Sequence, residues 1–225
     1  MENNTINPTL NAARLTASLF GVGIGFAGLV HGIGETLQGN VAAGGLVVNS
    51  WTAGPIASNL GGEPAMTIVP NLLVTGILAI LISLVVMLWA AFFVQQKHGG
   101  SILILLSIVL LLVGGGIAPP IMGILAGISG TEIHAPHGWW RKHLSVNFQH
   151  VLASLWPWVF SLCTINGLFL VLGSVILVGL LGLNQPDLFV ASFFAAVVLL
   201  LLTIFTGIAR DIQALDYRTL RHAGI

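Results

Sequence analysis

The chain has 225 residues, of which 56% are apolar and only 6% charged, and its mean hydropathy is +1.00. A soluble domain carries about 25% charged residues, so a water-soluble globule, a disordered chain and a basic nucleic-acid binder are all excluded. Seven Lys and Arg balance seven Asp and Glu, which leaves no net field to steer a charged ligand.

Residues 1–13 read as a polar N-terminal tail, with Glu2 and a single nearby cation, Arg14, and not as a secretory signal. The first predicted span is Leu15 to Leu37; a helix needs roughly 20 apolar residues to cross a ~30 Å hydrocarbon core. Inside it Gly21, Gly25, Gly28 and Gly32 recur at spacings of 4, 3 and 4. They share one helix face, where small side chains allow a second helix to approach closely.

His31 and Glu35 lie four apart, on a face beside that glycine stripe. Counted from Arg14, they stand about 25 Å and about 31 Å along the helix, toward the far side of the membrane. Ionisable groups within a span are costly and mark ion or proton pathways. The plainer alternative is that Glu35 ends the helix in water and His31 bonds a neighbour. A metal site on this pair has only two ligands, whereas zinc takes at least three from protein.

Residues 39–65 are rich in Gly, Asn, Ser and Pro and read as an outer loop. The second predicted span is Ile68 to Val94. Thr67, Asn71 and Thr75 recur at four-residue spacing at its outer end, with Pro70 in the first turn.

The next apolar run, residues 101–128, is interrupted at Gly114-Gly115-Gly116-Ile117-Ala118-Pro119-Pro120. Interior glycine costs a helix about 1 kcal/mol and proline about 3, and tandem prolines push Ala118 out of helical geometry. Charge decides how the break is used. A single crossing divides the Lys and Arg two to five between the faces, whereas a reversal at the break puts all seven on one face. Cationic loops stay cytoplasmic, so the reversal is expected, as a re-entrant hairpin or two short tilted helices near 101–113 and 119–129. The gentler alternative is one kinked span, since Pro and Gly occur within membrane helices.

Residues 130–157 form the expected cytoplasmic interfacial segment. His134 and His137 have a ligand-like spacing and are the weak metal candidates, but Pro136 interrupts any regular helix and no cysteine or carboxylate cluster completes a site. Trp139, Trp140, Trp156 and Trp158, with Arg141 and Lys142, fit the headgroup level instead. An amphipathic helix over 138–156 is predicted, with Leu144, Phe148, Val151 and Leu155 toward the acyl chains. Trp158 to Leu183 and Leu188 to Ala209 are the remaining spans. Cys163 lies within the first as a packing residue and excludes an intrachain disulfide. Residues 210–225 read as a charged cytoplasmic surface helix.

The fold class is thus an all-α, polytopic membrane bundle in a single domain, 1–225. It has six membrane-embedded helices, the third and fourth short, plus the interfacial helix. Both termini are expected in the cytoplasm of a prokaryotic cell, with the bilayer as the principal partner and no nucleic acid. Three features converge at one depth, which makes His31, Glu35, Asn71, Thr75, Gly115 and Pro119 the candidate binding residues. There is no Walker loop, no HExxH, no GxSxG and no CxxCH, so neither a cofactor nor an enzymatic activity is indicated. The expected function is small-solute or ion permeation through an outer-facing polar cavity. One alternative is a non-catalytic subunit that docks a membrane partner, or a second copy, through the glycine face. The weaker one is a metal-dependent membrane enzyme.

Overall fold

A computed structural model describes residues 11–59, 61–135, 137–173, 176, 177, 181 and 185–222. Residues 1–10 of the polar tail, Pro136, 182–184 of the last predicted turn and 223–225 of the tail lie outside the described residues. The elements are α1 (Ala12–Leu37), β1 (Val47–Asn49), α2 (Gly54–Asn59), β2 (Pro64–Met66), α3 (Leu72–Leu88), α4 (Gly99–Leu112), α5 (Ala118–Thr131), α6 (Gly138–His143), α7 (Val146–Leu168) and α8 (Pro186–His222). Short π-helical segments extend α3 to Phe93 and α7 to Gly173. Four helices are long and apolar enough to cross a membrane: Ala12–Leu37, Leu72–Phe93, Val146–Gly173 and Pro186–Asp216.

The central element is α1, which packs on α3, α5 and α8. The Asn11 side chain caps its start by accepting from the Arg14 amide at 3.1 Å. Its first two amides, on Ala12 and Ala13, donate to the buried Asp211 carboxylate of α8 at 2.7 and 3.0 Å. That anion satisfies amides which a helix leaves without partners and complements its positive end. The glycine stripe faces inward. An added Cβ would stand 2.5 Å from Ala90 at Gly21, 2.5 Å from Met87 at Gly25, 2.6 Å from Ser83 at Gly28 and 2.8 Å from the Gly76 carbonyl at Gly32. The surface expected to dock a partner is therefore already covered by α3, and at Gly21 and Gly28 also by α4 through Leu103 and Leu110.

The chain reverses between α4 and α5. Gly100 packs against Gly127, Gly130 and Thr131, and Gly123 against Ser107, so the two helices run antiparallel. At 14 residues each, they are about 21 Å long, short of a full crossing. Gly114 and Gly116 take φ values of +95° and +86°, left-handed geometry that an L side chain adopts only with strain. Pro119 and Pro120 then fall in the first turn of α5, where a missing amide hydrogen costs nothing.

Several predicted boundaries need correction. Residues 39–65 are not only loop: β1 and β2 pair antiparallel, with Val48 opposite Ala65. The second span begins at Leu72 and not at Ile68, because the Ile68 amide bonds the Leu112 carbonyl and holds that stretch extended. The interfacial helix predicted for 138–156 is broken. Only Gly138–His143 is separate, while Ser145 caps a new helix that runs through Trp156 into the apolar span. Phe148, Val151 and Leu155 remain on an exposed face, now of α7. The C-terminal tail is likewise no separate surface helix, since α8 continues through it to His222.

Two apolar cores hold these elements. One joins α1, α3, α4 and α5 around Ala17, Ile24, Val86, Leu103 and Leu110; the other joins α7 and α8 around Cys163, Leu200, Ile204 and Ile208, and Phe20 and Met122 touch both. Side chains such as Leu81, Phe92, Leu105, Trp158, Ile165 and Phe194 remain more than half exposed on the outer face. That is the pattern of a bundle solvated by lipid.

Candidate functional site

The two ends of the bundle differ in chemistry. Contacts of α1 with Asp211, of Asn11 with Ile133 and of Gln95 with His134 gather one set of helix ends. Arg14, Lys97, Arg141 and Arg210 lie on or beside these segments, and Arg141 pairs with Asp216 at 2.9 Å. The other end carries the β-hairpin, the α4–α5 turn, Glu35 and Glu63.

At that second end the hairpin lies on α1. Gly34 leaves room for the Ser50 carbonyl and the Trp51 ring, and the Gln38 side chain donates to the Asn49 and Ser50 carbonyls at 2.9 Å each. The ladder continues past β1 and β2, as the Ser50 amide donates to the Glu63 carbonyl at 3.2 Å. Ser50 and Glu63 are thereby placed side by side over His31.

The result is a linear series of four side chains. Glu63 Oε2 lies 3.4 Å from His31 Nε2. His31 Nδ1 lies 2.8 Å from Ser50 Oγ. Ser50 Oγ donates to Glu35 Oε1 at 3.1 Å. Glu35 and Ser50 are fully buried and His31 is 5% exposed, while the Glu63 side chain is 27% exposed and forms the outward end. Burial holds the Glu63 carboxyl above its ordinary range. Glu63 also takes a φ of +49°, strain of the kind stored at functional positions.

The α4–α5 turn closes the inward end. Gly114 lies against the Glu35 carboxyl and the Thr75 methyl, and a Cβ at Gly116 would stand 2.6 Å from His31 Nε2. Strand pairing fixes the turn there: Thr67 bridges Val113, and the Gly114 amide donates to the Met66 carbonyl at 2.9 Å. Thr75 Oγ1 bonds Thr67 Oγ1 at 2.9 Å. The second oxygen of Glu35, Oε2, is buried without a hydrogen-bond partner, an unmet demand of the sort that marks a site.

His31, Glu35 and Thr75 thus meet around the turn. Gly115 belongs to the same turn but faces Leu110, its two glycine neighbours making the side-chain contacts. Pro119 starts α5. Asn71 is a correction: its side chain caps α3 by accepting from the Val74 amide at 3.1 Å and donates to Asn40 at 2.6 Å, away from the pair. Glu35 does not end the helix in water, being sealed by the hairpin and the turn. For the same reason the cluster is packed and covered, with Glu35, Ser50 and Thr75 fully buried. Sequence reasoning missed Ser50, which carries no distinguishing signal. Glu63 had one: it is the only ionisable residue in 39–65.

His134 and His137 have separate partners. His134 Nε2 bonds the Gln95 carbonyl at 2.7 Å, and His137 Nδ1 lies 3.4 Å from Glu132. Among the described residues no group of three or more His, Cys, Asp or Glu is placed to hold a metal ion. The Ser50–His31–Glu63 order has the outline of a nucleophile, base and carboxylate. Ser50 is fully buried, and its hydroxyl is engaged by the Glu35 carboxyl at 3.1 Å. No family model, curated protein or solved structure matches this chain. The class that fold and composition define is an all-helical protein with four helices apolar enough to span a membrane.

Proposed function

We propose that this protein is a small membrane transporter in which a proton moves along Glu63, His31, Ser50 and Glu35, linked to permeation of a small solute or ion. The supporting observation is the series of carboxyl, imidazole, hydroxyl and carboxyl, each within 3.4 Å of the next, which ends on irregular backbone. In one state, neutral Glu63 donates to His31 Nε2, Nδ1–H donates to Ser50 Oγ, and Ser50 donates to ionised Glu35. Three concerted shifts follow: Glu63 to Nε2, Nδ1 to Oγ, and Oγ to Glu35. They leave Glu63 ionised and Glu35 neutral, with imidazole and hydroxyl still neutral. One proton has moved from the partly exposed Glu63 to the buried Glu35, and no charge is stranded on the middle groups. The Glu63–His31 gap, at 3.4 Å, exceeds a normal hydrogen bond and is the step that must shorten.

The turn at 113–117 supplies backbone groups in the region where discontinuous helices build transport sites. The cation-bearing end is assigned to the cytoplasm, and α4–α5 to a re-entrant pair. Opening requires the hairpin carrying Ser50 and Glu63 to lift from α1. The test is proton flux into proteoliposomes loaded with a pH-sensitive dye under an imposed gradient. Ser50→Ala and Glu35→Gln are expected to abolish flux, while Gly23→Ala preserves it. Flux in Ser50→Ala equal to the parent chain would overturn the relay. A partner-docking role loses its glycine face to α3 and α4 and finds no other specific support.

A further inference from the structure

A second site lies at the opposite, cation-bearing end, between α7 and α8. A cavity of about 500 Å³ is lined there by His150, Ala153, Ser154, Arg210, Gln213 and Ala214. We infer that this cavity binds the phosphodiester of an anionic membrane phospholipid.

Its depth is that of a headgroup. Arg210 stands 24 residues along α8 from Pro186, and His150 stands 23 residues from Gly173 at the other end of the α7 span. Both distances are about 35 Å at the helical rise, just beyond a ~30 Å hydrocarbon core.

The chemistry is that of an anion site. Among the described residues no carboxylate lines the cavity. The nearest in sequence, Asp211, points away and is occupied by the Ala12 and Ala13 amides. The Arg210 guanidinium is held 4.6 Å above the Trp156 ring, which orients its planar fork. Gln213 Nε2 donates to His150 Nδ1, so a neutral His150 keeps its proton on Nε2 as a further donor. Ser154 turns its hydroxyl back to the Val151 carbonyl at 2.7 Å and contributes only an acceptor. Arginine, an amide N–H and an imidazole N–H match phosphate oxygens, and nothing present matches a choline cation.

An apolar groove lies farther along the same helix pair. A cavity of about 460 Å³ is bordered by Leu162, Ile165, Phe169, Leu188 and Leu199. At 100° per residue, Leu188, Leu199, Arg210 and Gln213 fall within one third of the circumference of α8. Phosphate site and groove therefore share a helix face, as headgroup and acyl chain require.

The experiment is native mass spectrometry of the detergent-purified chain after exchange into phosphatidylglycerol, into phosphatidylcholine, or into inorganic phosphate without lipid. Preferential retention of phosphatidylglycerol is expected. Arg210→Gln should lower it about five-fold, the effect of one cation at a membrane surface, and Gln213→Ala should lower it more weakly. Gln213→Ala keeps Arg210 and its aromatic stacking, so it reports on the site even if Arg210→Gln fails to fold. Equal retention of the two lipids, retention unchanged in the variants, or a response to inorganic phosphate alone would each overturn the assignment.

Discussion

Replacing Gly32 by alanine tests whether α1 and α3 meet backbone to backbone. The new Cβ would stand 2.8 Å from the Gly76 carbonyl oxygen, 2.9 Å from the Ile80 nitrogen and 3.0 Å from the Ala79 Cβ. Two of these three are main-chain atoms, which cannot rotate aside. The helices must separate by about half an ångström, which forfeits roughly a quarter of each dispersion contact along the crossing. Overpacking of this kind costs about 1–3 kcal/mol. The control is Gly23→Ala, because a Cβ there meets nothing within 4 Å. Both changes remove an interior helical glycine, so the helix-propensity gain of about 1 kcal/mol cancels in the comparison. Gly32→Ala should therefore be less stable than Gly23→Ala by about 1–3 kcal/mol. The assay is unfolding in mixed detergent micelles followed by tryptophan fluorescence. Equal midpoints for the two variants would refute the close crossing.

The pH response of Glu63 has a definite sign. Burial raises its folded pKa above the ordinary value of 4.5, so the folded chain holds the proton more tightly than the unfolded chain. Its stability contribution is complete below 4.5 and is lost as the pH rises through the folded value. Thermal stability of the parent chain should fall across that range, and Glu63→Gln should flatten the fall. A rise with pH would instead mean that ionised Glu63 pairs with protonated His31. Topology is checked by cysteine labelling on intact cells in a Cys163→Ser background. Gly45→Cys should label from outside and Thr131→Cys only after permeabilisation; labelling of both from outside would eliminate the hairpin.

Much of the architecture is set by local properties of the chain. Apolar runs of sufficient length, the glycine spacing in α1 and the Gly114–Pro120 interruption are one-dimensional facts. Each has a local physical consequence: partition into lipid, close helix approach and termination of a helix. That His31 and Glu35 share one helix face follows from helical geometry alone, and their nearness to the Gly114–Gly116 turn follows from shared depth. What periodicity could not supply is whatever depends on contacts between distant segments. Ser50 becomes part of the site only because β1 and β2 fold back over α1 and because Gly34 admits its carbonyl. Asn71 has the right spacing yet turns to cap its own helix, since an unmet amide one turn away is a nearer partner than a histidine on another element. The helix break at Leu144 and Ser145 was hidden for a similar reason. The apolar spacing of Leu144, Phe148, Val151 and Leu155 continues across it, whereas the Ser145 cap restarts the backbone ladder. Sequence alone determined which segments are long and apolar enough to enter a bilayer and which residues would be costly there. Tertiary packing decided which of those residues come within reach of one another, because hydrogen bonding acts at about 3 Å and only the folded chain brings Glu63, His31, Ser50 and Glu35 to within 3.4 Å of their neighbours.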